Sequence, residues 1–460
     1  MDTWEPTLGT APLLAIAAAA VATILVLVIY FRIHAFITLI TVSALTALAT
    51  GIPLAGVVPT MTDGFGSTLA SVALLVGLGA MLGRLVENSG GAQSLAELLV
   101  RKFGEKRAPF ALGVASLLMG FPIFFDAGLI VMLPVIFAVA RRLDGPILAY
   151  GIPAAGAFSV THVFLPPHPG PVAAAEFYNA DIGLILLFGL FIALPTWYIS
   201  GYLWGQFLGR KFPLPVPDLL LGARSEAPKN PAGAGSVATI LLLPMLLIFG
   251  NTGANTAATA GWIDGDSGVV QFLRFLGQTP IALLITAFAA IAVLGLRRGV
   301  SREAIEKSMD GALGPICSVV LITGAGGMFG GVLRTSGIGD ALAESMEGMG
   351  IPLILAAYLI AAALRVAQGS ATVALTTAAA LMAPGVAAAD YSEVALALIV
   401  LATAAGSVIA SHVNDSGFWL VGRLMGMDTA TTLKTWTVNQ TLISVIGFAL
   451  VMVIYGVSAL

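Results

Sequence analysis

Residues 76–97 of the chain read VGLGAMLGRLVENSGGAQSLAE, and residues 323–344 read TGAGGMFGGVLRTSGIGDALAE. The two stretches align without a gap and are identical at nine of 22 positions, including the closing Leu-Ala-Glu. Glycine-rich composition inflates such matches, so chance is the alternative explanation. The same order of features follows each copy, however: an amphipathic linker (92–106 and 338–348), a pair of short apolar segments, and a segment broken by proline or glycine. The sequence therefore predicts a duplicated architecture.

The chain around this repeat is too apolar for a soluble protein. Of its 460 residues, 58% are hydrophobic and 10% are charged, whereas soluble domains carry about 25% charged residues. A net charge of −3 provides no basic face for nucleic acid. Runs such as 12–31 contain no charge and are long enough to cross a hydrocarbon core about 30 Å thick. We therefore predict an all-α polytopic membrane protein whose solvent is the lipid bilayer.

Long apolar runs are predicted as full membrane spans, and the whole chain is expected to have about ten full spans plus two re-entrant hairpins and two broken helices. These runs lie at 12–31, 34–51, 67–87, 182–208, 237–253, 279–296, 312–333 and 435–458.

Lys and Arg are concentrated in four short loops, and placing all four in the cytoplasm is self-consistent. Both termini then face outward. Under this assignment the first repeat unit starts outside and the second starts inside, so the two are inverted repeats. Inverted repeats whose broken helices meet at the midplane are typical of secondary transporters.

Two stretches are too short for a pair of ordinary spans. Residues 108–141 are flanked by basic residues on both sides, and the first arm, 109–120, covers only about half of the bilayer. We expect a re-entrant hairpin over 108–141 and a second one, entering from the other side, over 351–388. Broken helices are expected over 146–178, where four prolines fall within six residues, and over 392–425.

These features divide the chain into four parts. They are N-terminal scaffold spans over 1–66, a first repeat over 67–208, a cytoplasmic linker with two connecting spans over 209–308, and a second repeat over 309–460.

The four discontinuities carry polar and ionisable side chains at mid-membrane depth, where an ionisable group is costly and is usually functional. Half-helix N-termini attract a carboxylate, and hydroxyl and amide side chains can bind several hydroxyls. The pattern predicts a small polyhydroxylated acid that moves with a proton. The candidate substrate-binding residues are Phe125, Asp126, His168, Gln368, Ser370, Thr372, Asn414 and Ser416. The candidate proton-coupling residues are Asp126, His162, His412 and Asp415, with Arg365 as a charge partner.

Structural roles are open for several of these residues. Asp415 can act as the N-cap of the second half-helix. Arg365 can neutralise either Asp126 or Asp415, and His162 and His412 can be satisfied core histidines. The histidines lack metal-ligand spacing, so neither a metal nor a cofactor is expected, and a membrane enzyme is a distant alternative.

At these residues the sequence resembles the gluconate permease (gluconate:H+ symporter) family, which belongs to the ion transporter superfamily. The matching segments are GFPIFFD at 120–126, LPPHPGP at 165–171, ADIG at 180–183, LRVAQGSATVA at 364–374, SHVNDSGFW at 411–419 and KTWT at 434–437.

The resemblance implies proton-coupled uptake of gluconate or a related sugar acid across a bacterial inner membrane. It also implies a homodimer in which the hairpins and broken helices form an elevator-like transport domain. A sodium-coupled carboxylate carrier is an alternative, as are family carriers for glycerate, ketogluconate, fructuronate or D-serine. A passive channel is a third possibility.

Overall fold

The computed structural model describes residues 7–217, 230–259, 261–338, 341, 352–412 and 415–458. Regular structure in these residues is helical, without strands. Seven of the described helices are long and apolar enough to cross a membrane. The prediction of an all-α polytopic protein is confirmed.

The helices before the central linker are α1 (Thr10–Leu25), α2 (Ala35–Ala49), α3 (Leu54–Asn88), α4 (Gly91–Phe103), α5 (Ala108–Gly120), α6 (Phe125–Arg142), α7 (Ile147–Phe164), α8 (Pro169–Tyr178), α9 (Ile182–Thr196) and α10 (Trp204–Lys211). The helices after it are α11 (Ala234–Thr259), α12 (Gly268–Gly277), α13 (Thr279–Ala290), α14 (Arg302–Asp310), α15 (Leu313–Thr335), α16 (Leu353–Gln368), α17 (Ala371–Ala388), α18 (Glu393–Ser407), α19 (Ser416–Leu424), α20 (Thr429–Thr432) and α21 (Val438–Ser458).

An apolar shell surrounds a densely packed interior. Helices α7 and α8 are almost wholly buried, whereas α9 and α21 turn large apolar side chains outward, among them Phe191 and Val453. In water such a surface would be costly, but lipid tails solvate it at no penalty. The burial pattern therefore fits a helical protein whose middle helices are shielded from lipid by the outer ones.

The two repeat helices, α3 and α15, pack directly against each other. A Cβ added at Gly64 would lie 2.4 Å from the carbonyl oxygen of Gly327, and one at Gly331 would lie 3.3 Å from the Cα of Gly64. Only glycine permits backbones to approach this closely, as is common between membrane helices. The span predicted at 67–87 belongs to a helix that begins at Leu54. The polar residues before it, Asp63 among them, interrupt the hydropathy pattern without interrupting the helix.

The chain of the first repeat is broken at two places. Helix α5 ends at Gly120, and α6 begins at Phe125 after a turn that contains Pro122. Helix α7 ends at Phe164, and α8 begins at Pro169, a proline in the first helical position, where its missing N–H costs nothing.

The second repeat is also broken twice. Gly369 ends α16 with a φ of +81°, and the Ser370 side chain caps α17 by accepting from the Val373 amide at 3.3 Å. Helix α18 ends at Ser407, and α19 begins at Ser416. We refer below to the segments 121–124, 165–168, 369–370 and 408–415 as breaks 1 to 4.

A second pair of related features lies in the helices that follow the breaks. A π-helical turn at 197–203 joins α9 to α10, and another at 433–437 precedes α21. A Thr-Trp dipeptide lies at each turn: Thr196-Trp197 at the start of the first and Thr435-Trp436 within the second. The indole of Trp197 donates to the carbonyl of Pro153 at 2.9 Å, and that of Trp436 donates to the Ser411 hydroxyl at 3.1 Å. In each half, therefore, a tryptophan in a π-helical turn is bonded to the broken helix.

Short helices appear where none was predicted, and one predicted element lies almost entirely outside the described residues. The short amphipathic helices α12 and α14 occupy loops for which no helix was predicted. The predicted linker over 338–348 lies almost entirely outside the described residues.

The glycine contact between α3 and α15 generates a stability prediction. Gly64→Ala inserts a methyl group against the Gly327 carbonyl, and we expect it to destabilise the fold by roughly 1–3 kcal/mol, the usual cost of overpacking. Gly66→Ala is the matched control on the same helix, because a Cβ there meets nothing within 4 Å. Thermal unfolding of the purified protein in detergent measures both. A Gly64→Ala midpoint equal to that of Gly66→Ala would contradict the packing argument.

Candidate functional site

A cavity of about 520 Å³ is lined by residues of breaks 1, 3 and 4 and by the end of α7 that precedes break 2. Volumes of this order are typical of small-molecule sites. Of the residues predicted from the sequence, the cavity is lined by Phe125, Asp126, His162, Arg365, Ser370, Thr372, Asp415 and Ser416. The sequence thus identified side chains from both repeats that the fold brings to one place.

The central interaction of the site is an ion pair between the last turn of α16, just before break 3, and the end of break 4. Arg365 Nη2 lies 2.5 Å from Asp415 Oδ2, and the arginine side chain is 4% exposed. Arg365 Nη1 donates to the carbonyl of Gly369, which lies in break 3. Arg365 Nε is buried and has no hydrogen-bond partner among the described residues. Of the two partners that the sequence left open for Arg365, the structure selects Asp415.

Asp415 has two structural roles at once. Its Oδ1 accepts from the Gly417 amide at 2.9 Å, which caps the N-terminus of α19. Its Oδ2 accepts from Arg365 and from the Ser411 hydroxyl, and Ser411 accepts from the Trp436 indole. The carboxylate is therefore held by charge, by a hydroxyl and by a helix N-terminus.

Asp126 is bound quite differently. It lies in the first turn of α6, next to break 1, where a helix N-terminus favours a negative charge. Its side chain is exposed to the cavity. Within the described part of the chain, the structure gives it neither a hydrogen-bond partner nor an ion-pair partner. Asp126 is thus an unpaired carboxylate beside a paired one.

His162 and His168 lie side by side, with ring centroids 4.7 Å apart, but only His162 lines the cavity. Its Nε2 is 3.3 Å from the Thr372 hydroxyl, and its Nδ1 is buried without a partner among the described residues. His168 is buried behind it and donates from Nε2 to the Gly120 carbonyl at 2.7 Å. This geometry gives His168 the role of joining breaks 1 and 2.

The remaining predicted residues lie away from the cavity or outside the description. His412 Nε2 donates to the Val366 carbonyl at 3.0 Å, and His412 is not among the described residues that line the cavity. Asn414 lies outside the described residues, and only the backbone of Gln368 is described.

Several lining residues were missed by the sequence reasoning. They are Arg84, Glu87, Ser159, Trp436 and Gln440. The KTWT segment that contains Trp436 had been noted as a motif without a role. Ser159 and Gln440 bond to each other at 2.8 Å across 281 positions of sequence, and no local pattern reveals such a pair.

Comparison with known proteins identifies the family to which the chain belongs. The sequence matches a family described as GntP family permease over residues 11–457. The chain belongs to this permease family. The permease is 39% identical over 447 residues to the gluconate permease of Bacillus subtilis (strain 168), with 96% of its own length and 99% of the relative's covered. It is 38% identical over 444 residues to the Gnt-II system L-idonate transporter of Escherichia coli (strain K12), with coverages of 96% and 99%.

A solved structure supports the fold of the permease. The YdaH transporter of Alcanivorax borkumensis superposes with a TM-score of 0.64 at 17% identity, covering 88% of the permease and 90% of that chain. The resemblance predicted from the motifs is confirmed. The permease is a multi-pass transporter of the bacterial inner membrane and not an enzyme.

The buried ion pair generates a prediction that is independent of transport. Arg365→Gln leaves the Asp415 carboxylate without its cation, and Asp415→Asn leaves the buried guanidinium without its anion. We expect each single variant to lose about 3 kcal/mol of stability, because an unpaired buried charge is costly. The Arg365→Gln/Asp415→Asn double variant removes both charges and is expected to recover most of that loss.

Thermal unfolding of the four proteins in detergent measures the coupling between the two residues. Losses that simply add in the double variant would show that the pair contributes no coupling energy.

Proposed function

We propose that the permease is a proton-coupled symporter that carries a sugar acid, gluconate first, into the cell. The named activities of the relatives, gluconate permease and L-idonate transporter, support a sugar acid as substrate. The observation that carries proton coupling is the unpaired carboxylate of Asp126 in a cavity whose other charges are paired.

The charges that line the cavity explain the coupling. Among its described lining residues, Arg84 pairs with Glu87 and Arg365 pairs with Asp415, so these four contribute no net charge. An ionised Asp126 leaves the cavity with one negative charge, which repels a substrate carboxylate. Protonation of Asp126 removes that repulsion, and a nearby like charge is what makes protonation favourable as the anion arrives. Proton and sugar acid therefore enter the cavity together.

The walls of the cavity offer the groups that a polyhydroxylated anion needs. Hydroxyls of Ser370, Thr372 and Ser416 lie at or next to the N-termini of α17 and α19. These helix ends direct backbone N–H groups and partial positive charge into the site, which suits a carboxylate. The Phe125 ring, with Trp436 at 5.5 Å between centroids, provides an apolar wall.

The other predicted residues take supporting roles in this proposal. Gln368 and Asn414 are kept as predicted substrate contacts. His162 is the second candidate for proton transfer, since its Nδ1 is unpartnered at the cavity wall. His168 and His412 are assigned to the carbonyls of Gly120 and Val366, which they hold in place.

Coupling to sodium is less well supported than coupling to protons. Sodium prefers oxygen ligands, and backbone carbonyls at the breaks are the natural source. Four such carbonyls, those of Gly120, Val366, Gly369 and Ser411, already accept hydrogen bonds from side chains. Uptake into proteoliposomes under separate pH and sodium gradients tests this step: accumulation with sodium alone would overturn proton coupling.

The proposal includes the membrane arrangement expected from the sequence. Residues 108–141 and 351–388 form re-entrant hairpins in inverted repeats over 67–208 and 309–460, and both termini lie outside. The segments 1–66 and 209–308 provide scaffold and linker. Two copies form a dimer in which the hairpins and broken helices move together as an elevator.

Replacing Asp126 separates coupling from binding. Asp126→Asn keeps the shape of the side chain and removes the charge that a proton must neutralise. We expect this variant to exchange gluconate between the two sides of a proteoliposome while losing at least about 90% of pH-driven accumulation. Radiolabelled gluconate measures both activities on the same preparation.

Asp63→Asn is the matched control, because Asp63 is an exposed carboxylate on α3 and does not line the cavity. Normal pH-driven accumulation by Asp126→Asn would remove Asp126 from the coupling role.

A second substitution tests the position of the substrate. Thr372→Val removes a hydroxyl from the cavity wall at nearly constant volume, and we expect the half-saturating gluconate concentration to rise about tenfold, the value of one hydrogen bond. Thr377→Val is the matched control, since Thr377 is buried on the same helix and its hydroxyl has no partner among the described residues. Equal half-saturation in the two variants would show that the substrate does not contact Thr372.

A further inference from the structure

The cavity contains a second guanidinium, to which the transport proposal gives no contact with the substrate. Arg84 lies on α3, outside the four breaks, yet its side chain lines the same cavity as Asp126 and Arg365. The backbone explains how it comes there. A Cβ at Gly83 would lie 2.6 Å from the Pro122 carbonyl oxygen, so the backbone of α3 contacts the turn of break 1 at this glycine. Arg84 is the next residue and therefore lies beside break 1.

The two arginines of the cavity are held with very different strength. Arg365 is 4% exposed and is bound both by the Gly369 carbonyl and by Asp415 of a distant chain segment, an arrangement that resists exchange. Arg84 is bound to Glu87, three residues along its own helix, with Nη1 to Oε2 at 3.0 Å and side-chain exposures of 31% and 21%. Half-exposed pairs within one helix contribute little stability and are readily exchanged for another anion.

The repeat supplies an independent comparison. In the gapless alignment, Arg84 corresponds to Gly331 and Glu87 corresponds to Arg334. Gly331 packs against Gly64, and Arg334 is exposed and does not line the cavity. The pair is therefore a feature of the first repeat alone, and the packing of the duplicated helix does not require it.

We propose that Arg84 is a docking site for the substrate carboxylate at the wall of the cavity, and that Glu87 occupies this site when no substrate is there. An arriving carboxylate displaces Glu87, binds the guanidinium through two N–H groups, and is then passed to the deeper groups at the breaks. Arginine suits this role because its planar fork binds carboxylates in a bidentate manner. The inference rests on the proposed transport of a sugar acid and adds the residue that first receives or last releases it.

Competition between Glu87 and the substrate gives the two variants opposite effects. Arg84→Gln removes the docking group, and we expect the Kd for gluconate to rise about tenfold. Glu87→Gln removes the competing anion and leaves Arg84 free, so the Kd is expected to fall about threefold. The Arg84→Gln/Glu87→Gln double variant is expected to have the same Kd as Arg84→Gln, because Glu87 competes with the substrate only for the Arg84 guanidinium.

Equilibrium binding of radiolabelled D-gluconate to the purified full-length permease measures these Kd values, with Arg334→Gln as the matched control. Arg84→Lys keeps the charge without the fork and should recover only part of the loss. Effects of the same sign in Arg84→Gln and Glu87→Gln, or no effect in either, would overturn the docking role. Failure of the wild-type protein to bind gluconate would instead contradict the proposed substrate, which separates the two ideas.

Discussion

The ion pair between Arg365 and Asp415 is the interaction on which the middle of the molecule depends. Breaks 3 and 4 each expose backbone groups that a continuous helix would bond internally. In a hydrocarbon setting every such group must find a partner within the protein. Arg365 bonds the Gly369 carbonyl, and Asp415 caps α19. The two side chains then neutralise each other. One pair of charges therefore makes two broken helices tolerable and fixes them to one another.

The first repeat solves the same problem without charge. His168, in break 2, donates to the carbonyl of Gly120 beside break 1. A neutral ring costs far less to bury than a guanidinium, and it leaves no carboxylate committed as a counter-ion. The consequence is a functional asymmetry between the halves. In the second repeat the Asp415 carboxylate is bonded to Arg365, Ser411 and the N-terminus of α19. In the first repeat the Asp126 carboxylate has no partner among the described residues, and in the proposed mechanism it binds the proton.

Sequence reasoning was most reliable where a physical constraint acts locally. Four prolines in six residues cannot continue a helix, and the chain breaks there, between Phe164 and Pro169. Ionisable residues are rare in an apolar chain, so Asp126, Arg365 and Asp415 were recognisable as site candidates before any contact was known. The partner of Arg365 was not recognisable, because the choice between two carboxylates depends on how breaks 3 and 4 fold together. The places of Ser159 and Gln440 in the cavity wall could not be predicted for the same reason, since their hydrogen bond joins the two halves of the chain. The extent of α3 was underestimated because Asp63 and the polar residues around it lower the hydropathy without ending the helix, and Gly64 in this stretch packs against α15.

The duplication gives the molecule two related halves that both line the cavity. Helices α3 and α15 come into backbone contact where Gly64, which precedes the repeat in α3, meets Gly327 and Gly331 of α15. Both repeats contribute polar side chains to one cavity. Once that geometry is set, the two halves can diverge in chemistry without disturbing the packing. The Arg84–Glu87 pair, with glycine and arginine at the equivalent positions of the second repeat, is one such divergence, and the unpaired Asp126 beside the paired Asp415 is another. In the proposed mechanism, this symmetric scaffold with asymmetric charges provides one group to hold the anion and a different one to hold the proton.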